Sequence, residues 1–432
     1  MRKNIFLALA IFVLLSLDSK SQTWTNVGSG IPSGSVYAIK EYNSELIVGG
    51  VFNNAGGISA KNIAKWDGLT WSSLGSGLNG AVQCFVIFNS ELYVGGNSNL
   101  TNAGGISVQG LARWNGTSWV SIPSILGTSS TYIYALEVYN NELYASVGLY
   151  GSGGTTVSIY KFNGSSWSAV AAVGNGIYAP SVNSLKVYNG DLYVGGEFST
   201  VNGNSFNNIA KWNGSTWSSV GTGIPLSTTS HNRNIWDMEI FNGELCVAGE
   251  FNYADGLAVN NIAKWDGTNW TTMGTGCNYT IIDLEVFNTD LCVGGYYNIE
   301  KWDGTNWSTL GNQLFVTAHA LCAYNNVVFA GGYNWDQVVN SSTIYNIGQL
   351  SNLTSINEEK KSNLLIYPNP TTDILTITNA KGSYFVTDIY GRMITVININ
   401  TDNYQLNTKS FSSGIYFLIS KEDNSSIKFI KQ

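Results

Sequence analysis

Histidine occurs twice in the 432-residue chain, proline six times, and charged residues make up only 11% of it. The five cysteines, Cys84, Cys246, Cys277, Cys292 and Cys322, are odd in number and show no C-x-x-C spacing, which excludes a disulfide framework or a zinc site of the usual pattern. Cys246 and Cys292 stand where Tyr93, Tyr144 and Tyr193 stand in other copies of a repeat, so they read as strand residues packing as small hydrophobes. The net charge of −7, with no basic stripe, excludes a phosphate-backbone partner such as nucleic acid. Gly-x-Ser-x-Gly, His-Glu-x-x-His and glycine-rich phosphate loops are missing. After residue 21 no stretch approaches eighteen apolar residues, so no transmembrane segment is expected in the mature chain. The run Ile5 to Leu17 behind Arg2 and Lys3 is too short to span a bilayer and reads, with Ser19 and Ser21, as a secretory signal peptide over residues 1–21.

What is plentiful is glycine (48 residues) and aromatic side chains (13%), and both recur in register. Lys65-Trp66-Asp67-Gly68-Leu69-Thr70-Trp71 has relatives ending at Trp119, Trp167, Trp217, Trp270 and Trp307. Asp-Gly or Asn-Gly between strand-like segments signals a tight hairpin, and its closure sets the two aromatics opposite each other. Before each hairpin comes an apolar segment ending in an aromatic and Asn (Asn43, Asn89, Asn140, Asn189, Asn242, Asn288, Asn325), then one ending near Gly-Gly (Gly50, Gly96, Gly148, Gly196, Gly249, Gly295, Gly332). The first hairpin aromatics, Trp66, Trp114, Phe162, Trp212, Trp265 and Trp302, are spaced 48, 48, 50, 53 and 37 residues apart. Four strands at this period predict an all-β fold, a seven-bladed β-propeller over residues 22–350. The seventh copy lacks a fourth strand, and Trp24-Thr25-Asn26-Val27-Gly28 matches it, so the N-terminal strand is expected to close the ring and cover its edge.

These repeats resemble kelch-type or galactose-oxidase-type propellers, with Gly-Gly after the second strand and aromatics in the third and fourth. The resemblance speaks to architecture and is silent on chemistry. A copper site of the galactose-oxidase kind would need more ligands than His231 and His319 supply, so no cofactor and no metal are expected.

Residues 351–362 are polar and read as a linker. Residues 363–432 then carry Tyr367-Pro368-Asn369-Pro370, Asp373, an Asp388-x-x-Gly391 motif, Gly414-Ile415-Tyr416 and Lys431 among short alternating strands, which predict a small Ig-like β-sandwich. In this order at the chain end they closely resemble the type A C-terminal sorting domain of the type IX secretion system of Bacteroidota. The resemblance implies export to the periplasm, recognition by the outer-membrane translocon and sorting machinery, and release or surface attachment.

The predicted tight turns on one propeller face leave little room for a site, whereas the connections on the other face vary, and variable loops on a rigid scaffold are where binding usually resides. The recurring acids Glu45, Glu91, Glu142, Asp191, Glu244 and Asp290 read as solvated turn residues. One slot at the start of the first strand departs from the repeat, reading Tyr37, Gln83, Tyr134, Asn183, Trp236, Ile282 and His319. The next slot is small except for Asp237 and Asp283. The expected function is a secreted or cell-surface module binding a glycan or protein through Tyr37, Tyr134, His231, Arg233 and Trp236. The alternative is a polysaccharide hydrolase or lyase using Asp237, Asp283 and His319 in the central funnel.

Overall fold

The computed structural model describes residues 22–125, 131–151, 154–174, 179–225, 234–312, 314, 316–339, 342–352, 365–378, 380–388, 393–401, 403–420 and 426–432. The expected signal peptide, residues 353–362 of the expected linker, His231, Arg233 and Gly391 lie outside the described residues. Every named element is a strand, and the chain divides into two compact units, Met1–Asn352 and Leu353–Gln432.

In the larger unit one antiparallel pattern recurs. First strands Ser35–Tyr42, Val82–Phe88, Thr131–Tyr139, Ser181–Tyr188, Asn234–Phe241, Ile281–Phe287 and Thr317–Tyr324 each turn into a second strand, as in Glu45–Val51. A third strand such as Ile63–Trp66 and an outer one such as Trp71–Ser73 complete the unit. Successive first strands are neighbours, and Thr317–Tyr324 lies beside Ser35–Tyr42, so the first strands form a closed, propeller-like cycle. The second strands read as unbroken apolar runs because each is covered on both faces: Leu46, Ile47 and Val48 are all fully buried.

The hairpins follow their turn chemistry. Asn43 (φ 52°) and Ser44 (φ 60°) are both left-handed, the requirement of a type I′ turn, and the pairs Asn89–Ser90, Asn140–Asn141 and Asn325–Asn326 repeat it. Behind these turns Tyr42, Tyr139, Tyr188 and Tyr324 donate their hydroxyls to Ser90, Gly190, Gly243 and Ser44 carbonyls of the following unit. The recurrent acids are not free in the turns. Each begins the second strand and pairs with a cation on the third, as in Lys65–Glu45 (2.8 Å), Arg113–Glu91 (3.2 Å), Lys161–Glu142 (2.8 Å) and Lys211–Asp191 (2.9 Å). A lysine two positions along the hydrogen-bonded neighbour meets the acid across the ladder, a contact invisible while the acid is assigned to the turn.

At the outer rim Trp66 and Trp71 are directly paired, with ring centroids 5.3 Å apart. The outer tryptophan also ties neighbouring units together. Trp71 Nε1 donates to Val27 O (2.9 Å), Trp270 Nε1 to Val220 O (3.1 Å) and Trp307 Nε1 to Met273 O (2.7 Å), in each case the residue that follows the preceding outer strand and comes before a glycine. The N-terminal strand Gln22–Asn26 pairs antiparallel with Ser342–Asn352, placing Trp24 opposite Leu350. Trp24 is buried and donates to Leu310 O (2.8 Å), so this strand is latched on one side by its own indole and on the other by Trp71. Because Ser351 and Asn352 pair with Thr23 and Gln22, the strand runs two residues into the segment expected to be linker.

The smaller unit holds a three-stranded sheet (Leu365–Tyr367, Ile374–Thr378, Asn403–Asn407) and a four-stranded one (Gly382–Asp388, Met393–Ile399, Gly414–Ser420, Ser426–Lys431). They share a core that includes Leu375, Ile377, Val386, Ile397, Leu406, Tyr416, Leu418 and Phe429.

Candidate functional site

All seven first strands bulge at one place. Register shifts fall between Val36 and Ala38, Val82 and Cys84, Ile133 and Ala135, Val182 and Ser184, Ile235 and Asp237, Ile281 and Asp283, and Ala318 and Ala320. The residue left over is Tyr37, Gln83, Tyr134, Asn183, Trp236, Ile282 or His319, so the slot that departs from the repeat in sequence is the bulged residue in space. A bulge re-aims its side chain out of the ladder. All seven line one central cavity of 530 Å³. Tyr37 and His319 meet edge to face at 5.4 Å, and Tyr134 lies 4.4 Å from the ring of Tyr132, an aromatic that the repeat comparison passed over. Burial lowers the pKa of His319, which favours its neutral form.

Asp237 and Asp283 line the same cavity. Each holds a backbone amide of the next first strand: Leu284 N donates to Asp237 Oδ2 (3.0 Å) and Leu321 N to Asp283 Oδ2 (2.5 Å), while Ser184 Oγ donates to Asp237 Oδ1 (3.1 Å). They therefore pin adjacent units, the role a buried carboxylate plays when its neighbour's edge amide needs an acceptor. Burial raises Asp237 to about 6, helped by the charge of Glu239, and burial with the charge of Asp237 raises Asp283 well above the usual carboxylate range.

One step further along each strand, on the same side, is a belt the sequence reading missed: Lys40, Val86, Glu137, Lys186, Glu239, Glu285 and Cys322. Strand alternation was the available signal, since these lie two residues beyond the small slot. Lys186 Nζ pairs with Glu239 Oε2 at 2.5 Å, and Glu285 Oε1 accepts Ala323 N (2.8 Å). Burial works against the Lys186 ammonium, but the adjoining Glu239 carboxylate outweighs it and raises the pKa. Burial raises Glu137, and raises Glu285 to about 7. Among the described residues no three His, Cys, Asp or Glu side chains are grouped so as to hold a metal ion. At the turn end a 550 Å³ cavity is lined by Lys40, Tyr42, Asn43, Ser90 and Glu285 among others.

In the smaller unit, Asn369 of the Tyr-Pro-Asn-Pro motif grips the last strand, accepting Ile430 N (2.9 Å) and donating to Lys428 O (3.1 Å). Thr371 pairs with Lys431 through an isolated bridge. Tyr416 donates to Ser412 O (2.8 Å) and stacks on Phe429 at 5.5 Å, while Tyr367 is exposed. The motif residues thus lie at both ends of the unit's sequence but meet at its terminal strand.

No curated protein matches the chain. The extracellular domain of BT4673 from B. thetaiotaomicron is similar in fold, with TM-score 0.52 and 13% identity over 94% of this chain and 53% of that one. PorZ, an essential surface component of the type IX secretion system of Porphyromonas gingivalis, aligns with TM-score 0.45 and 14% identity over 93% of this chain and 60% of its own. The chain thus spans between about half and three fifths of those proteins. Among the described residues no helix is long and apolar enough to cross a membrane. Residues 365–432 match the secretion system C-terminal sorting domain, and the protein that carries it is a type IX secretion cargo, secreted or attached to the cell surface.

Proposed function

We propose that the larger unit is a seven-bladed, kelch-like propeller that binds a glycan or protein ligand in its central funnel, and that the smaller unit, an Ig-like sandwich, delivers it outside the cell. The observation that carries this reading is the bulged slot. The preceding position is apolar in every unit (Val36, Val82, Ile133, Val182, Ile235, Ile281, Ala318), as packing requires, while this one reads Tyr, Gln, Tyr, Asn, Trp, Ile and His and lines shared space. Planar apolar surface beside a few directional amides suits sugar stacking or a protein hot spot. Tyr37, Tyr134 and Trp236 supply the planes. His231 and Arg233, which precede Trp236 in the sequence, are the polar candidates of the same reading.

A glycan-array screen of the propeller, run beside an activity panel on polysaccharides, tests the reading. Trp236→Ala and Arg233→Ala are expected to lose binding to the ligand found, while Glu91→Ala and Glu142→Ala on the opposite face keep it. The reverse pattern would place the site on the turn face. A second reading, a polysaccharide hydrolase or lyase using Asp237, Asp283 and His319, draws on the raised carboxyl pKa values, since a carboxylic acid protonated near neutrality can serve as a general acid. Turnover abolished by Asp237→Asn would establish it.

A further inference from the structure

Four units carry a small hairpin between the second and third strands: Asn54–Ala55 with Ile58–Ser59, Asn102–Ala103 with Ile106–Ser107, Thr200–Val201 with Asn204–Ser205, and Tyr253–Ala254 with Leu257–Ala258. Each buries a small apolar side chain, Ala55, Ala103, Val201 or Ala254, almost completely. Three of them dock identically on the preceding unit, where the outer strand ends in an apolar residue followed by Gly, Ser or Thr, and Gly. Gly56 N donates to Gly30 O (2.8 Å), Gly104 N to Gly77 O (3.1 Å) and Asp255 N to Gly223 O (2.8 Å).

A fourth docking platform, Met273-Gly274-Thr275-Gly276-Cys277, has the same internal bonds. Gly276 N donates to Met273 O as Gly77 N does to Leu74 O, and Cys277 N to Asn260 O as Leu78 N does to Lys61 O. Its hairpin is missing, because the following unit runs from Gly295 to Ile299 through Tyr296, Tyr297 and Asn298 alone. What the hairpin covers elsewhere is left open. Gly276 and Val259 are half-buried, whereas Gly30, Gly77 and Gly223, and Ala60 and Val108, are buried. Trp307 is half-buried, while Trp71 and Trp119, against which Gly56 and Gly104 lie, are buried. A 230 Å³ cavity lined by Ala258, Val259, Thr275 and Gly276 among others occupies the place.

We propose that this vacant platform is a docking slot for the tip of a β-hairpin from another polypeptide, one that presents a small apolar residue followed by glycine. The occupant is specified by the molecule itself: the equivalent platforms hold Asn54-Ala55-Gly56-Gly57 and Asn102-Ala103-Gly104-Gly105, each offering one main-chain amide to the glycine carbonyl and one methyl-sized side chain to the pocket. Among the described residues no hairpin amide reaches Gly276 O, which accepts a long hydrogen bond from Thr275 Oγ1 at 3.4 Å. Main-chain capture of this kind supplies affinity, while the pocket restricts the side chain. The slot lies at the outer rim, apart from the funnel, and a funnel ligand leaves it accessible.

The probe is a cyclised peptide with the sequence of residues 53–60, titrated by calorimetry and by fluorine NMR of fluorotryptophan-labelled protein. Saturable binding with a dissociation constant below about 1 mM is expected, with a shift of the Trp307 resonance assigned by Trp307→Phe. Thr275→Arg and Ala258→Arg, both exposed positions, should each weaken it at least tenfold. Grafting residues 97–110 in place of 296–298 should fill the slot and abolish it. No saturable binding, or equal affinity in the two arginine variants, overturns the proposal. If the graft does not fold, the arginine variants alone decide.

Discussion

The outer-rim tryptophans do two things with one side chain, and the structure separates them. Trp270 packs against Trp265 and also donates its indole N–H to Val220 O, whereas Trp217 packs against Trp212 with no partner for its N–H among the described residues. Replacing Trp by Phe keeps most of the ring and removes the donor. Trp270→Phe should therefore cost about 1 kcal/mol more in urea unfolding than Trp217→Phe, the net worth of a buried hydrogen bond. Equal costs would mean that the latch contributes nothing beyond ring packing. The paired acids behave differently. With both partners of Lys161–Glu142 about a third or less exposed, solvent screens most of the attraction, and Glu142→Gln should change stability by under about 1 kcal/mol.

The funnel carboxyls give a signed pH dependence. Asp237, Asp283 and Glu285 are all raised by burial, so the folded state holds their protons more tightly than the unfolded chain does. Their contribution favours folding at low pH and is lost as pH climbs from about 4, where the unfolded carboxyls ionise, through the raised folded values, about 6 for Asp237 and about 7 for Glu285. Asp283→Asn keeps an oxygen for Leu321 N and cannot ionise. It should be at least as stable as the wild type at pH 8 and lose that advantage at pH 5, read from thermal midpoints. A variant weakened more at pH 8 than at pH 5 would show that ionised Asp283 is the stabilising form.

At the scale of elements, the strand Gln22–Asn26 carries more than its length suggests. It covers the free edge of Ser342–Asn352, buries Trp24, and supplies the Val27 carbonyl that receives Trp71. Trp24→Ala leaves a cavity and an unfilled acceptor at Leu310, and should destabilise the propeller by about 3 to 5 kcal/mol. A protein lacking residues 22–30 but as stable as the complete chain would contradict ring closure by this strand. The type I′ turns and facing aromatics of these strands were legible because they depend on residues adjacent in sequence. The ion pairs were not, since Glu45 and Lys65 meet only after two strands pair.

For the whole molecule, the division at Asn352 predicts that the two units part without loss of folding. Removing residues 363–432 should leave a propeller with an unchanged melting temperature that accumulates in the periplasm, followed by cell fractionation. Normal delivery to the medium or surface would sink the role given to the sorting domain.

The sequence by itself determined the repeat, its turn chemistry, the terminal strand that completes the last unit, and the sorting motif, because each is written in local spacing or in a match between two copies. It also marked Tyr37, Tyr134, Trp236 and His319, since a slot that changes in character beside one that stays apolar is visible without coordinates. Tertiary structure decided what those positions share. Bulges at one level of every first strand turn them into a single cavity, and strand alternation brings Glu137, Lys186, Glu239 and Glu285 into a second belt below it. It also decided between the two readings of Asp237 and Asp283, making them acceptors for the next strand's amides. Which carboxylate meets which amide depends on how neighbouring units are placed, and that is set by packing across segments 38 and 47 residues apart in the chain.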